Sequence, residues 1–140
     1  MNLFLDTSVV LTACGSAKGA SRAIFNLAPA NGWTLLASPY VLAEVANNLD
    51  HFPPSATGDW LLLRQNLSIV DDIVSLDRVV VFAAAKDRPV LFTALAWASV
   101  LLTFDHGDFG RMIGENFYGL GIMKPAVFLE RERAAGKLNP

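Results

Sequence analysis

Asn2-Leu3-Phe4-Leu5-Asp6-Thr7-Ser8 is a short apolar run that stops at a carboxylate and passes at once into two small hydroxyl residues. An apolar run without polar alternation suits a strand buried on both faces, as in a parallel sheet. Asp6 then falls at the carboxyl end of the strand, where open α/β sheets place their ligands. A second run, Ser99-Val100-Leu101-Leu102-Thr103-Phe104, stops in the same way at Asp105. Two such contexts in one chain raise the question of whether it gathers acids at one edge of a sheet.

Outward from the first run, Thr7 opens a helix with Asp6 or Thr7 as N-cap. Ser21–Ala28 continues as a second helical segment that ends near Pro29, and Asn31-Gly32 is a turn. Trp33–Ala37 is the second strand, and Ser38-Pro39 starts a helix, Tyr40–Leu49, that contains Glu44. Phe52-Pro53-Pro54 breaks that helix. A further amphipathic helix runs from Trp60 to about Ile69, with Leu61, Leu62, Leu67 and Ile69 as its apolar positions. Arg78–Phe82 is a β-branched third strand. Lys86-Asp87-Arg88-Pro89 starts a helix through Trp97, and Ser99–Phe104 is the fourth strand. Gly107-Asp108-Phe109-Gly110 is a turn, Gly121–Met123 a short fifth strand, and Pro125 opens a helix over Ala126–Ala135 before a frayed tail. Strands alternating with helices imply a three-layer α/β/α sandwich around a mainly parallel sheet, as one domain over residues 1–140.

The composition narrows the function classes. With 140 residues the chain has the length of one domain. It is 53% hydrophobic and 17% charged, so it has apolar surface to place in a thick core or an interface. The Trp60–Ile69 segment is the candidate interface with a second copy or a partner peptide. The formal net charge is −2, without a basic stripe for gripping nucleic acid by charge alone. The single cysteine, Cys14, excludes an internal disulfide and a multi-cysteine zinc site, and reads as a small core residue. The N-terminus lacks the pattern of a signal peptide, and the apolar run Pro89–Phe104 is too short to span a bilayer. A cytoplasmic protein that does not enter membranes is expected.

Four acids carry the candidate chemistry: Asp6, Glu44, Asp87 and Asp105. Mg²⁺ and Mn²⁺ prefer oxygen ligands, and carboxylates crowded together repel one another unless a cation neutralises them. Each acid also has a plain structural use. Asp6, Asp87 and Asp105 can cap the helices that follow them. Glu44 can be an exposed helix residue, since Asn47 and Asn48 extend a polar stripe one turn on. Thr7, Ser8 and Thr103 lie beside the acids, where hydroxyls can orient a carboxylate or bind ligand waters, or serve as caps. Asp108 is a possible further ligand or an ordinary turn aspartate. His106, next to Asp105, is a candidate contact for a phosphate or an exposed loop histidine. His51 shows no partner, Asp59, Asp71, Asp72 and Asp77 read as solvated connection acids, and Trp33, Trp60 and Trp97 as core or interface.

Nearly the whole chain resembles the PIN domain family, most closely the toxin ribonucleases of VapBC-type toxin–antitoxin pairs. Leu3–Ser8 is similar to the family's opening strand and first acid. Ser38-Pro39-Tyr40-Val41-Leu42-Ala43-Glu44-Val45 resembles its Ser-Pro helix with glutamate, and Lys86–Leu95 its third-acid helix. Leu101–Phe109 resembles the fourth-acid loop and Met123–Leu129 the closing strand and helix. The resemblance implies that Asp6, Glu44, Asp87 and Asp105 coordinate Mg²⁺ or Mn²⁺ and hydrolyse phosphodiesters of single-stranded RNA. It also implies a homodimer neutralised by a small antitoxin protein. Two features depart from the pattern. Phe104 stands where a small residue is usual, and positive charge is sparse, with Lys86, Arg88 and Arg111 nearest the acids in sequence.

Three other readings fit parts of the pattern. One is a catalytically inactive PIN-like module that binds RNA or protein, against which stands the presence of all four acids. Another is a haloacid-dehalogenase-like phosphohydrolase, whose nucleophile loop needs an acid two residues after the first, where this chain has Ser8. The third is an α/β interaction domain whose acids are only caps, and which would bind no divalent ion tightly.

Overall fold

The computed structural model describes residues 1–73, 88–105, 113–114 and 116–140, apart from the side chain of Arg88. The expected strand Arg78–Phe82, the turn Gly107–Gly110, and the candidate residues Asp87 and Asp108 lie outside the described residues, as do Lys86, His106 and Arg111. In chain order the elements are β1 (Asn2–Leu5), α1 (Thr7–Gly15), α2 (Ala20–Asn31), β2 (Thr34–Ala37) and α3 (Pro39–Asn48). A single 3₁₀ turn (Leu49–His51), α4 (Ser55–Arg64), β3 (Ser68–Ile69), α5 (Arg88–Trp97) and β4 (Val100–Leu102) follow. The chain closes with β5 (Asn116–Phe117), β6 (Leu120–Met123) and α6 (Pro125–Ala134).

The sheet has the order β3-β2-β1-β4-β6-β5, and every described pairing is parallel except β5 with β6. Leu3, Phe4 and Leu5 in β1 are all fully buried. Successive strand residues face opposite sides of the sheet, so three buried in a row require cover on both faces. Leu101 and Leu102 in β4 show the same pattern. Helices flank this mainly parallel sheet, which is the expected α/β architecture. Leu5 pairs with Leu102, so β1 and β4 end side by side. The chain runs from β1 to β2 on one flank, while β4 lies on the other. The crevice between β1 and β4 is therefore the switch point at which such sheets bind ligands.

Several expectations change in detail. α2 runs through Pro29 to Asn31 and ends at Gly32, whose left-handed φ of 67° lets its N–H close on the Ala28 carbonyl. Pro29 lies in the last turn, so it does not stop the helix there. α4 begins at Ser55 and ends at Arg64, while Ser68-Ile69 form β3 at the sheet edge. Its buried residues are Ala56, Trp60 and Leu63, whereas Leu61 and Leu62 are 60% and 65% exposed. The continuous apolar run Trp60–Leu63 hides the helical phase, which the i, i+4, i+7 spacing from Ala56 reveals. β5 is an unexpected strand. It joins β6 through Tyr118 and Gly119, both at positive φ (50° and 87°), the mark of a two-residue type I′ hairpin. The C-terminal tail is tied down, because Asn31 donates from Nδ2 to the Asn139 carbonyl at 2.8 Å and accepts the Asn139 N–H at 2.7 Å. Cys14, Trp33 and Trp60 are core residues, whereas Trp97 is 43% exposed. Among the described residues, no helix is long and apolar enough to cross a membrane.

Candidate functional site

Asp6 leaves β1 with its backbone N–H still bonded to the Leu102 carbonyl of β4 at 3.0 Å, so the sheet carries it to the crevice. Its side chain caps α1, with Oδ1 accepting the Thr7 N–H at 2.8 Å. Oδ2 accepts the Thr103 hydroxyl at 2.7 Å and, at a longer 3.4 Å, the Ser8 hydroxyl. Thr103 is fully buried, and its Oγ1 also accepts the Asp105 N–H at 3.0 Å. One hydroxyl thus fixes the first acid and the backbone of the fourth. Ser8 Oγ accepts the Phe104 N–H at 3.2 Å, tying the start of α1 to the same loop.

Glu44 arrives from α3. That helix starts at Ser38, whose hydroxyl accepts the Val41 N–H, and carries Pro39 in its first turn, as the sequence indicates. A second cap comes from Asp72, whose carboxylate accepts the Tyr40 N–H at 3.1 and 3.4 Å. Asp72 is therefore more than a solvated connection acid. Glu44 Oε1 accepts the Thr7 hydroxyl at 2.8 Å, which joins α3 to α1.

These residues open onto one cleft of about 380 Å³. Asp6, Glu44 and Asp105 line it with Thr7 and Ser8 from α1, while Thr103 is buried behind them. Tyr40, Asn48, Leu11 and Phe104 complete the lining. Tyr40 and Asn48 escaped the sequence reading. The signal for them was the four-residue spacing of positions 40, 44 and 48, which puts three side chains on one helix face. Of the polar stripe that could have meant an exposed surface, Glu44 and Asn48 line the cleft, while Asn47 is exposed.

Burial raises the Asp6 carboxyl above its ordinary pKa. The hydrogen bonds from Thr103 and the Thr7 N–H act against this, and the nearby charges of Glu44 and Asp105 push it further up. Among the described residues no three acid, histidine or cysteine side chains stand close enough to hold a metal ion as a group. The chemistry of the lining nonetheless suits a hard cation. Its donors are carboxylate and hydroxyl oxygens, and an added positive charge would relieve the repulsion that Asp6 experiences.

A mainly parallel sheet with acids lining a cleft at the switch point of its central strands defines an α/β protein with a carboxylate-lined cleft. The PIN domain family model matches residues 2–107, well over half of the chain. The chain belongs to the PIN domain family. No curated protein matches it. Among solved structures it is similar to a chain of VapBC2 from Rickettsia felis, a complex bound to a DNA fragment from its promoter. That likeness has a TM-score of 0.62 and covers 89% of this chain and 98% of the other, at 17% identity. The fold is shared over nearly the whole of both chains.

Proposed function

We propose that this protein is a metal-dependent endoribonuclease that hydrolyses phosphodiester bonds of single-stranded RNA. The observation that carries this is the delivery of Asp6, Glu44 and Asp105 to one cleft by three separate segments of the chain. Two capping aspartates and an exposed helix glutamate would have no reason to converge. Asp6, Glu44, Asp87 and Asp105 are the residues assigned to hold the ion, Mg²⁺ or Mn²⁺, with Asp108 as a possible further ligand. When bound, such an ion supplies positive charge for the phosphodiester and for an attacking water.

The protein's own groups do the rest. Asp6 is held by the Thr103 hydroxyl and the Thr7 N–H, which fix the orientation of its carboxylate. Thr7 holds Glu44 in the same way across the α1–α3 gap. Fixed carboxylates need no reorganisation as charge develops on the reacting phosphate. Thr103 and Ser8 fasten the loop that carries Phe104 and Asp105, which keeps the fourth acid at the mouth of the cleft.

We also assign the protein to the toxin half of a toxin–antitoxin pair, acting in the cytoplasm as a homodimer. The likeness in fold to a chain of VapBC2 supports this, as do the exposed Leu61 and Leu62 on α4, apolar surface of the kind that interfaces cover. The test incubates partner-free protein with single-stranded RNA, the same RNA as a duplex, and single-stranded DNA, each with Mn²⁺ or EDTA. Cleavage of the single-stranded RNA with Mn²⁺ alone is expected. Cleavage that survives EDTA, or none on any RNA, overturns the proposal. For the assembly, sedimentation should show a species twice the chain mass, and a concentration-independent monomer would contradict the dimer.

A further inference from the structure

Beside its acids, the cleft presents two aromatic rings. Tyr40 and Phe104 both line it and both are half-buried, so part of each remains open to a ligand. Their backbones are pinned. The Phe104 N–H is held by Ser8 Oγ at 3.2 Å. The amides on either side are held as well, Thr103 by the Met123 carbonyl at 3.1 Å and Asp105 by Thr103 Oγ1 at 3.0 Å. Tyr40 sits in the first turn of α3 with its N–H on the Asp72 carboxylate. It lies four residues before Glu44, hence on the same helix face one turn away, about 6 Å along the axis.

An ion held by the acids would draw the reacting phosphate, but the described lining residues include no lysine or arginine for the nucleotides on either side of it. Charge pairing with the backbone, the usual source of affinity for nucleic acid, is not supplied by these residues. Stacking of bases on aromatic rings is the other general source, and it tolerates any base because every base has a π-face.

We propose that Tyr40 and Phe104 are stacking walls for the nucleobases flanking the reacting phosphodiester, and that they restrict the cleft to unpaired strands. This rests on the ribonuclease reading above. A base inside a duplex has both faces covered by its neighbours, so it reaches a protein ring only after unstacking, whereas an unpaired base is already free to do so. Phe104 is then the substrate-selecting residue of the loop whose next residue is Asp105.

The test is steady-state cleavage, with Mn²⁺, of a single-stranded RNA oligonucleotide carrying one cleavage site. Matched oligonucleotides lack the base immediately 5′ or 3′ of that site. Wild type is compared with Phe104→Leu, Tyr40→Leu, Phe104→Tyr and Tyr40→Phe, and Mn²⁺ affinity is measured by calorimetry on each. Each leucine variant is expected to raise KM about 5- to 100-fold, with a smaller change in kcat and with Mn²⁺ binding retained. The aromatic exchanges should restore KM. Removing one base should cost wild type a similar factor and cost the corresponding leucine variant little more. Leucine variants with wild-type KM, or base removal that costs wild type nothing, overturn the stacking proposal while cleavage itself upholds the ribonuclease reading. Absence of cleavage by wild type overturns both.

Discussion

Asp6 is where the chemistry of the cleft and the stability of the fold pull against each other. Its carboxyl is raised above its ordinary value by burial first, with Glu44 and Asp105 adding to the effect. A carboxyl with a higher pKa folded than unfolded holds its proton more tightly in the fold. Its contribution to stability is therefore present below the unfolded pKa of about 4 and lost as the pH rises through the folded value. Metal-free wild type should lose stability relative to Asp6→Asn as the pH rises above about 4. Urea midpoints of both proteins in EDTA measure this, and a difference that stays constant or runs the other way contradicts it. Thr103 offers a finer probe. Thr103→Val removes the hydroxyl bonded to both Asp6 and the Asp105 N–H, and should lower stability by about 1–3 kcal/mol and weaken Mn²⁺ binding. Thr103→Ser should recover both, as read by urea unfolding and calorimetry. Cys14 is buried and its thiol is pushed up to about 11, by burial above all and further by Asp59, with Arg22 acting against. It should resist thiol reagents at pH 8 until the protein is unfolded, and rapid labelling of the native protein would contradict that placement. At this scale the sequence speaks clearly where a residue's neighbours in the chain are also its neighbours in space. Asp6 and Asp105 are legible because a strand delivers each one. Asp72 is not, since its role arises from a contact across 32 positions of chain, and Tyr40 and Asn48 are legible only through their four-residue spacing from Glu44.

Among the elements, α3 and α4 show how far local pattern reaches. Ser38-Pro39 announces the start of α3, but the Asp72 cap comes from the segment after β3 and has no local signature. Asp72→Ala should lower stability by about 0.5–2 kcal/mol. It should also disturb cleavage through Tyr40 and Glu44, which the same helix start positions. α4 was legible as a helix and illegible in phase. Its burial pattern predicts that Leu63→Ala costs about 2–5 kcal/mol, while Leu62→Ser stays within about 0.5 kcal/mol of wild type. Equal losses in urea unfolding would mean that both residues are packed. Arg22 links three helices: its Nε donates to the Ala13 carbonyl of α1 at 2.8 Å, and its guanidinium meets Asp59 of α4 at 3.0 Å. The first contact stands on a backbone carbonyl and the second on a partly exposed carboxylate. Asp59→Asn should therefore cost less than Arg22→Ala, under about 1 kcal/mol. β5 went unseen because the Tyr118-Gly119 turn lacks the Asn-Gly or Asp-Gly signature of such hairpins.

For the molecule as a whole, the alternation of apolar runs and helical stretches was enough to read a mainly parallel sheet flanked by helices. The order of the strands was not readable, because pairing depends on which helices cover which face. Sheet order explains why acids distant in the chain converge. β1 and β4 are neighbours despite nearly 100 residues of separation, and the switch between them opens the crevice. Binding of an ion to that crevice should stabilise the fold by mass action, about 2.7 kcal/mol at one hundred times its Kd. The gain should be lost in Asp6→Asn. The most direct test of the central claim, that this crevice is a metal-dependent ribonuclease site, is cleavage of single-stranded RNA by wild type, Asp6→Asn, Glu44→Gln and Asp105→Asn, each with Mn²⁺ and with EDTA. The account predicts cleavage by wild type with Mn²⁺ alone and a loss of at least about 100-fold in every variant. Wild-type rates in folded variants, or cleavage that EDTA does not stop, would contradict it.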